Sequence, residues 1–200
     1  MQKFIKNLFY FGIFASLISI FLIIGTYLII KPSLPEIKYV DESELQMPLK
    51  IYSKDGVLIG EFGEIKRRST GFEEIPDNIK FAFLAAEDDN FFDHQGISYS
   101  GLIRSFIRCL SPSGCQGGGG TITMQVVRGY LLTPEQTIVR KIKEIFLALE
   151  LESNIQKEEI FELYVNRIFL GNRSYGIEAA SNTYFNKELN DLNISESATI

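Results

Sequence analysis

Cysteine and histidine are scarce in this sequence, with two Cys and one His among 200 residues. So few thiols exclude a disulfide framework, and so few soft ligands exclude the usual zinc clusters. Positive charge is not in excess either: 20 Lys and Arg face 25 Asp and Glu, for a net charge of −5. The molecule as a whole is therefore no electrostatic nucleic-acid binder, and any anion it holds must meet a local basic patch. Gly-Lys-Ser/Thr is absent, so its one glycine-rich stretch is not a Walker loop. Two hundred residues suit one domain plus an appendage, and 46% hydrophobic residues leave enough for a core after one membrane segment is set aside.

That segment is the uncharged run from Asn7 to Ile30, preceded by Lys3 and Lys6 and closed by Lys31 and Pro32. At about 1.5 Å per residue it is long enough for a bilayer core of roughly 30 Å. A cleaved signal peptide would have a shorter apolar region and a small-x-small site after it, and none follows. Residues 1–31 read as an uncleaved signal anchor with its lysines in the cytoplasm. The body of the protein is then expected outside the cytoplasmic membrane.

Residues 32–48, with Pro32, Pro35 and Pro48 among charges, read as a linker. Residues 49–75 open with two apolar runs, Lys50–Ser53 and Val57–Phe62, around Asp55-Gly56, a hairpin signal. From residue 76 to 200 the pattern is helical. The apolar run Phe81–Ala86, with Asp77 as expected N-cap, delivers Glu87 at its end. A carboxylate there is expected to be partly desolvated, as suits a general acid or base; a solvated helix end is the plainer alternative. His94, the lone histidine, follows seven residues on.

Leu102, Ile103, Phe106, Ile107 and Leu110 make one apolar face, with Arg104 and Arg108 opposite. Both a membrane-interface helix and a core-facing surface helix fit that pattern. A loop with Cys109, Cys115 and Gly117–Gly120 then opens into a helix on which Thr121, Gln125 and Arg128 share a face. A glycine-rich turn feeding a helix N-terminus is a common anion cradle. Thr133-Pro134-Glu135-Gln136 reads as a capped helix start, followed by Ile138, Ile142, Ile145, Phe146 and Leu149 as the buried face. Arg140, Lys141, Lys143 and Glu144 crowd its first half. Their plain reading is an i,i+4 ion pair and their functional reading a diphosphate site, with cations favouring an ionised Glu144. The next helix runs to Leu170 with Gly171 as C-cap. The final stretch, Ser195–Ile200, looks like the start of a further helix, as in the N-terminal part of a longer protein.

Five blocks stand in order: Glu87-Asp88-x-x-Phe91-x-x-His94-x-Gly96, Gly-x-Thr121-Ile122-Thr123-x-Gln125, Arg140-Lys141-x-Lys143-Glu144, Lys157-x-x-Ile160-x-Glu162-x-Tyr164-x-Asn166-x-x-Phe169-x-Gly171, and Ala180-x-x-x-Tyr184-Phe185-x-Lys187. Their identity and order resemble the peptidoglycan glycosyltransferases (glycosyltransferase family 51), specifically the glycosyltransferase region of class A penicillin-binding proteins. The resemblance covers roughly residues 48–200. It implies a mainly α, lysozyme-like domain behind a single transmembrane helix and a small β-hairpin. It also implies polymerisation of lipid II onto a growing glycan strand, forming β-1,4 bonds with inversion and releasing undecaprenyl diphosphate.

By the family pattern Glu87 deprotonates the acceptor 4-hydroxyl, and Asp88, Phe91 and His94 support that site. Thr121, Gln125, Arg128, Arg140 and Lys141 surround the diphosphates, and Glu144 is the second essential carboxylate. No resident cofactor is implied beyond a divalent cation, Mg or Mn, at the diphosphate. The expected partners are lipid II, the glycan strand, membrane lipid and other cell-wall synthesis proteins, with no nucleic acid. The expected place is the bacterial cytoplasmic (inner) membrane, with the catalytic domain on the periplasmic or outer face.

Gly120, Met124, Arg128 and Gly129 depart from the family's Ser, Gln, Lys and Asn, and the Cys109–Gly119 loop is unusual in makeup. No Ser-x-x-Lys occurs, so no penicillin-binding site is visible. The alternatives are a lysozyme-like lytic enzyme and an inactive membrane scaffold; Arg128, Arg140 and Lys141 argue against the first, and the presence of Glu87 and Glu144 against the second. An oxidising envelope compartment would permit a disulfide between Cys109 and Cys115.

Overall fold

In the computed structural model the structure describes residues 2–37, 49–62, 70–109, 120–133, 135 and 137–200. The chain separates into two units, Met1–Glu36 and Ile37–Ile200. The first is helix α1 (Gln2–Ile30) closed by a 3₁₀ turn, Lys31–Ser33. Pro32 has no N–H to continue the helix, and the Ser33 hydroxyl donates to the Ile30 carbonyl at 2.8 Å. Residues Phe9–Ser33 have a mean hydropathy of 2.6, which makes this helix long and apolar enough to cross a membrane.

The second unit begins with the hairpin, β1 (Leu49–Tyr52) antiparallel to β2 (Leu58–Phe62). Leu49 pairs with Phe62 and Ile51 with Gly60, and a bulge follows Ile51. Gly56 takes φ +83° in the turn, a conformation Gly adopts without steric cost. The Asp55-Gly56 signal is thus where the chain reverses.

The rest is helical: α2 (Asp77–Glu87), α3 (Tyr99–Cys109), α4 (Ile122–Leu131), α5 (Ile138–Asn154), α6 (Lys157–Arg167), α7 (Ile177–Phe185) and a short α8 (Ile194–Ser197). Helix α4 is central and packs on both α5 and α6. Ile122, Met124, Val126 and Val127 of α4, Leu147, Ala148 and Leu151 of α5, and Ile160, Leu163 and Val165 of α6 are all buried. Phe161 is fully buried and meets Phe91 at 6.1 Å and Phe72 edge-on at 5.9 Å. Burying each such ring contributes roughly 1.5–3 kcal/mol. The segment before α2 is stitched to α6 by polar bonds: Thr70 N–H donates to Asn166 Oδ1 at 2.9 Å, and Asn166 Nδ2 returns a bond to the Thr70 carbonyl at 3.0 Å.

Four local expectations shift. Pro76, not Asp77, is the N-cap of α2, and Asp77 faces Lys80 at 3.6 Å. The N-cap of α5 is Thr137, four residues after Thr133, because the Thr137 hydroxyl accepts from Arg140 N–H at 3.1 Å; Pro134 and Gln136 lie outside the described residues. The buried stripe of α5 is Glu144, Leu147, Ala148 and Leu151, while Ile138 and Leu149 are exposed. Both stripes satisfy the helical period, and packing on α4 selects the one that contains a carboxylate. Finally α6 ends at Arg167, and Gly171 sits in a turn at φ +82°, inside the bridge between Phe169 and Tyr175. The expected pairing of Cys109 with Cys115 lies outside the described residues.

Candidate active site

Glu87 is the last residue of α2 and is exposed, rather than partly desolvated as its apolar helix suggests. Phe83 and Ile79 occupy the buried side of α2, and Glu87 lies beyond them at the solvent end. Its Oε2 accepts from Gln125 Nε2 at 2.8 Å. The next residue leaves the helix at φ −162° and ψ 80°, and Asp88 is buried. Its carboxylate accepts from His94 Nε2 at 3.0 and 3.1 Å and from the Ile122 backbone N–H at 3.1 Å. Ile122 begins α4, so Asp88 satisfies a helix-end donor that has no partner inside the helix, and its charge complements the positive end of the dipole.

Phe91 is fully buried. Its ring meets His94 edge-on at 6.2 Å, and Lys157 Nζ stands 4.3 Å above it. Lys157 also pairs with Glu152 at 2.7 Å, and Glu152 accepts from the Thr123 hydroxyl. Asp88, Phe91 and His94 therefore hold the loop after Glu87 against α4 and α6 from beneath.

The glycine-rich stretch ends at Gly120, where the position of a Cβ would lie 3.7 Å from Lys141 Nζ. Thr121 follows as the N-cap of α4. Its hydroxyl accepts from Met124 N–H at 3.2 Å and donates to the Gly96 carbonyl at 2.6 Å. Thr121 is buried, Gln125 half-buried and Arg128 exposed; Gln125 and Arg128 line one pocket, while the Thr121 hydroxyl turns inward to the Gly96 carbonyl. The Thr121 hydroxyl serves the helix cap and the Gly96 loop.

Glu144 is only 1% exposed. It accepts from Arg140 Nη1 and from Lys141 Nζ, the latter at 3.0 Å. A carboxylate this far from water needs such partners, because removing an ion from solvent costs several kcal/mol. The plain i,i+4 ion pair and the cationic cluster are thus the same object. Glu87 is bonded to α4 through Gln125, and Glu144 is bonded to Lys141, whose ammonium lies near Gly120, two residues before α4. Among the described residues no three His, Cys, Asp or Glu gather as a metal cage.

Beside Gln125 lies a pocket of about 200 Å³ lined by Arg128, Tyr130, Tyr164, Arg167 and Phe169. Tyr164 is buried and stacks edge-on to Phe83 at 6.0 Å. Burial first, and then the Glu87 carboxylate, push its phenol above the ordinary value, while Arg128 pulls the other way. Sequence reasoning gave Tyr164 and Arg167 no role. Tyr164 is a named position of the fourth block, whereas Arg167 falls on one of its unspecified positions three residues on along α6.

The transglycosylase family model matches residues 55–200. The chain is similar to penicillin-binding protein 1A of Pseudomonas aeruginosa, at 49% identity over 176 residues, 88% of this chain and 21% of that protein. It is also similar to penicillin-binding protein 1A of Escherichia coli, at 39% over 199 residues, 100% of this chain and 23% of that protein. A crystal structure of penicillin-binding protein 1A from Haemophilus influenzae aligns at 31% identity and a TM-score of 0.37, covering 77% of this chain and 13% of that one. The chain spans 21% to 23% of the length of these two curated relatives. The matched range takes in the hairpin turn and all five sequence blocks, and the chain belongs to the transglycosylase family.

Proposed function

We propose that this chain is a peptidoglycan glycosyltransferase that polymerises lipid II. Glu87 takes the proton of the acceptor's 4-hydroxyl while that oxygen attacks the donor's anomeric carbon, and the lipid diphosphate leaves with the bonding electrons. The observation that carries the reading is the pairing of two unlike carboxylates around α4. Glu87 is exposed and oriented by Gln125, as a base that must reach a sugar hydroxyl should be. Glu144 is buried and held by Arg140 and Lys141, so it organises fixed positive charge for a diphosphate. A divalent cation, Mg or Mn, at the diphosphate would take its ligands from the phosphate oxygens.

The substrate keeps its lipid tail in the bilayer, and two features fit that. Helix α1 is apolar from Phe9 to its end. Helix α3 leaves Tyr99, Ile103 and Ile107 exposed at i, i+4 and i+8, which supports the membrane-interface reading over the core-facing one. The catalytic unit belongs on the periplasmic or outer face, where lipid II and the growing strand are its partners. The test is incubation of the membrane-anchored protein with labelled lipid II. Polymer is the expected product. Absence of polymer together with hydrolysis of finished cell wall would instead establish a lytic enzyme.

A further inference from the structure

We propose that the groove at the corner between α5 and α6 is a saccharide-binding site, in which the Phe92 ring stacks on the apolar face of a sugar and Glu152 Oε2 accepts hydrogen bonds from its hydroxyls. The inference rests on the glycosyltransferase reading for the natural ligand, a stretch of glycan strand away from the reacting end.

The groove has a volume of about 540 Å³, and none of the residues proposed above for proton transfer or diphosphate binding lines it. Its fixed element is Glu152, whose side chain is 7% exposed. Glu152 Oε1 accepts from the Thr123 hydroxyl of α4 and from Lys157 Nζ, the latter at 2.7 Å. Both bonds fall on the same oxygen, and among the described residues Oε2 accepts none. A carboxylate has about four acceptor sites, so half of this one is held in place while the other half is open to a ligand. Such a group is already ordered before a ligand arrives, which lowers the cost of binding.

The chemistry of the walls selects the ligand. Lys157 is the one cation lining the groove among the described residues, and it is committed to Glu152 and to the Phe91 ring, 4.3 Å away. Glu158 adds a second carboxylate. That balance disfavours an anion and favours a neutral ligand rich in hydroxyl donors. Phe92 supplies the apolar surface: it meets Phe91 edge-on at 5.1 Å, which fixes its ring, and remains 46% exposed. A single exposed ring is ordinary on a protein surface. This one shares a groove with a held carboxylate, and with the Gln156 amide, which makes no capping bond to α6. A sugar ring presents C–H groups on its face and hydroxyls at its rim, and a flat ring beside carboxylate and amide acceptors matches both.

The test titrates the whole detergent-solubilised chain with the β-1,4-linked tetrasaccharide of N-acetylglucosamine, which carries neither lipid nor phosphate, and follows backbone amide shifts. In the parent the shifts are expected to centre on Phe92 and on the turn from Ser153 to Glu158. Phe92→Leu keeps apolar bulk and loses the flat ring, and Glu152→Gln keeps shape and loses the charge. Each is expected to weaken binding roughly tenfold. Phe81→Leu, which alters an exposed ring of α2 outside the groove, is expected to bind as the parent does. No binding by the parent, shifts confined to Glu87, Gln125 and Arg128, or parental affinity in Phe92→Leu would each overturn the proposal. Glu152→Gln also loses its pairing with Lys157; should it unfold at lower temperature, the parent's shift map and Phe92→Leu decide the matter. Lipid II polymerisation is measured in parallel. A parent that makes no polymer yet binds the tetrasaccharide through Phe92 and Glu152 refutes the glycosyltransferase reading alone, whereas a polymerising parent that leaves the groove unshifted refutes the saccharide site alone.

Discussion

Gln125 Nε2 donates to Glu87 Oε2 across 2.8 Å and so joins the end of α2 to the first turn of α4. One oxygen of an exposed carboxylate is thereby given a fixed direction. A long side chain at a helix end would otherwise sample several rotamers, and orientation of a base is part of its effect on rate. The same turn of α4 receives Asp88 on the Ile122 N–H, so adjacent acidic residues at the end of α2 both terminate on α4.

Glu87→Gln keeps shape and a hydrogen-bonding end but cannot take a proton. Polymerisation should fall by about 10²–10⁴, while lipid II binding and thermal stability stay near the parent's. Single-turnover polymerisation with a parallel binding titration measures this. A variant within about tenfold of the parent rate would mean that Glu87 is not the base.

Glu144→Gln should behave differently, because this carboxylate is buried beneath Arg140 and Lys141. Removing its charge leaves Arg140 and the more exposed Lys141 facing a buried neutral amide. Losses on the order of 3 kcal/mol are usual when one partner of a buried pair is removed. The variant should unfold at lower temperature, bind lipid II more weakly and turn over slowly. A thermal melt identical to the parent's is the contrary result.

Gly96 stands at φ +80°, and a Cβ there would lie 2.8 Å from the Ala148 carbonyl oxygen. Backbone on α5 cannot yield as a side chain tip can. Gly96→Ala should cost more than about 1 kcal/mol and, by displacing the carbonyl that holds Thr121, should also lower polymerisation. Gly71→Ala, where nothing lies within 4 Å, is the neutral comparison. Chemical denaturation of the two variants decides the point.

Arg128 is exposed at the pocket rim, so its replacement should leave the fold intact. If its charge serves a diphosphate, Arg128→Lys should keep much of the activity and Arg128→Met should lose most of it. Equal rates for the two would remove Arg128 from the site.

The C-terminal turn offers a pH test. The Lys187 ammonium, and then the Asn193 N–H, hold the Glu196 carboxyl below its ordinary range. A folded-state value lower than the unfolded one stabilises the native form above the unfolded value, and that contribution disappears as pH falls through the lowered folded value. The protection of α8 amides relative to their intrinsic exchange rate at each pH should therefore fall on acidification through the carboxylate range. Glu196→Gln should flatten that dependence.

Local signals settled the elements whose cause is itself local. Asp55-Gly56 marks a turn because of its permitted backbone angles, and the run to Ile30 marks a membrane-length helix because of its length and hydropathy. The five blocks identified the family because order and spacing are properties of the chain alone. Tertiary packing decided the rest. Helix α5 has two stripes of the right period, and contact with α4 chose the one carrying Glu144. Thr121 and Gln125 share a spacing, yet the nearby Gly96 carbonyl turns the first inward and Glu87 engages the second. Glu87 lacks its expected desolvation for the same reason, while Glu144 keeps its expected cations and is buried as well. Burial of Glu87 was inferred from apolar neighbours in sequence, but a side chain at a helix end reaches past its own helix into solvent, and Glu144 is buried by helices that its sequence neighbours do not name. Desolvation depends on what lies across the fold, a quantity that no window of sequence contains.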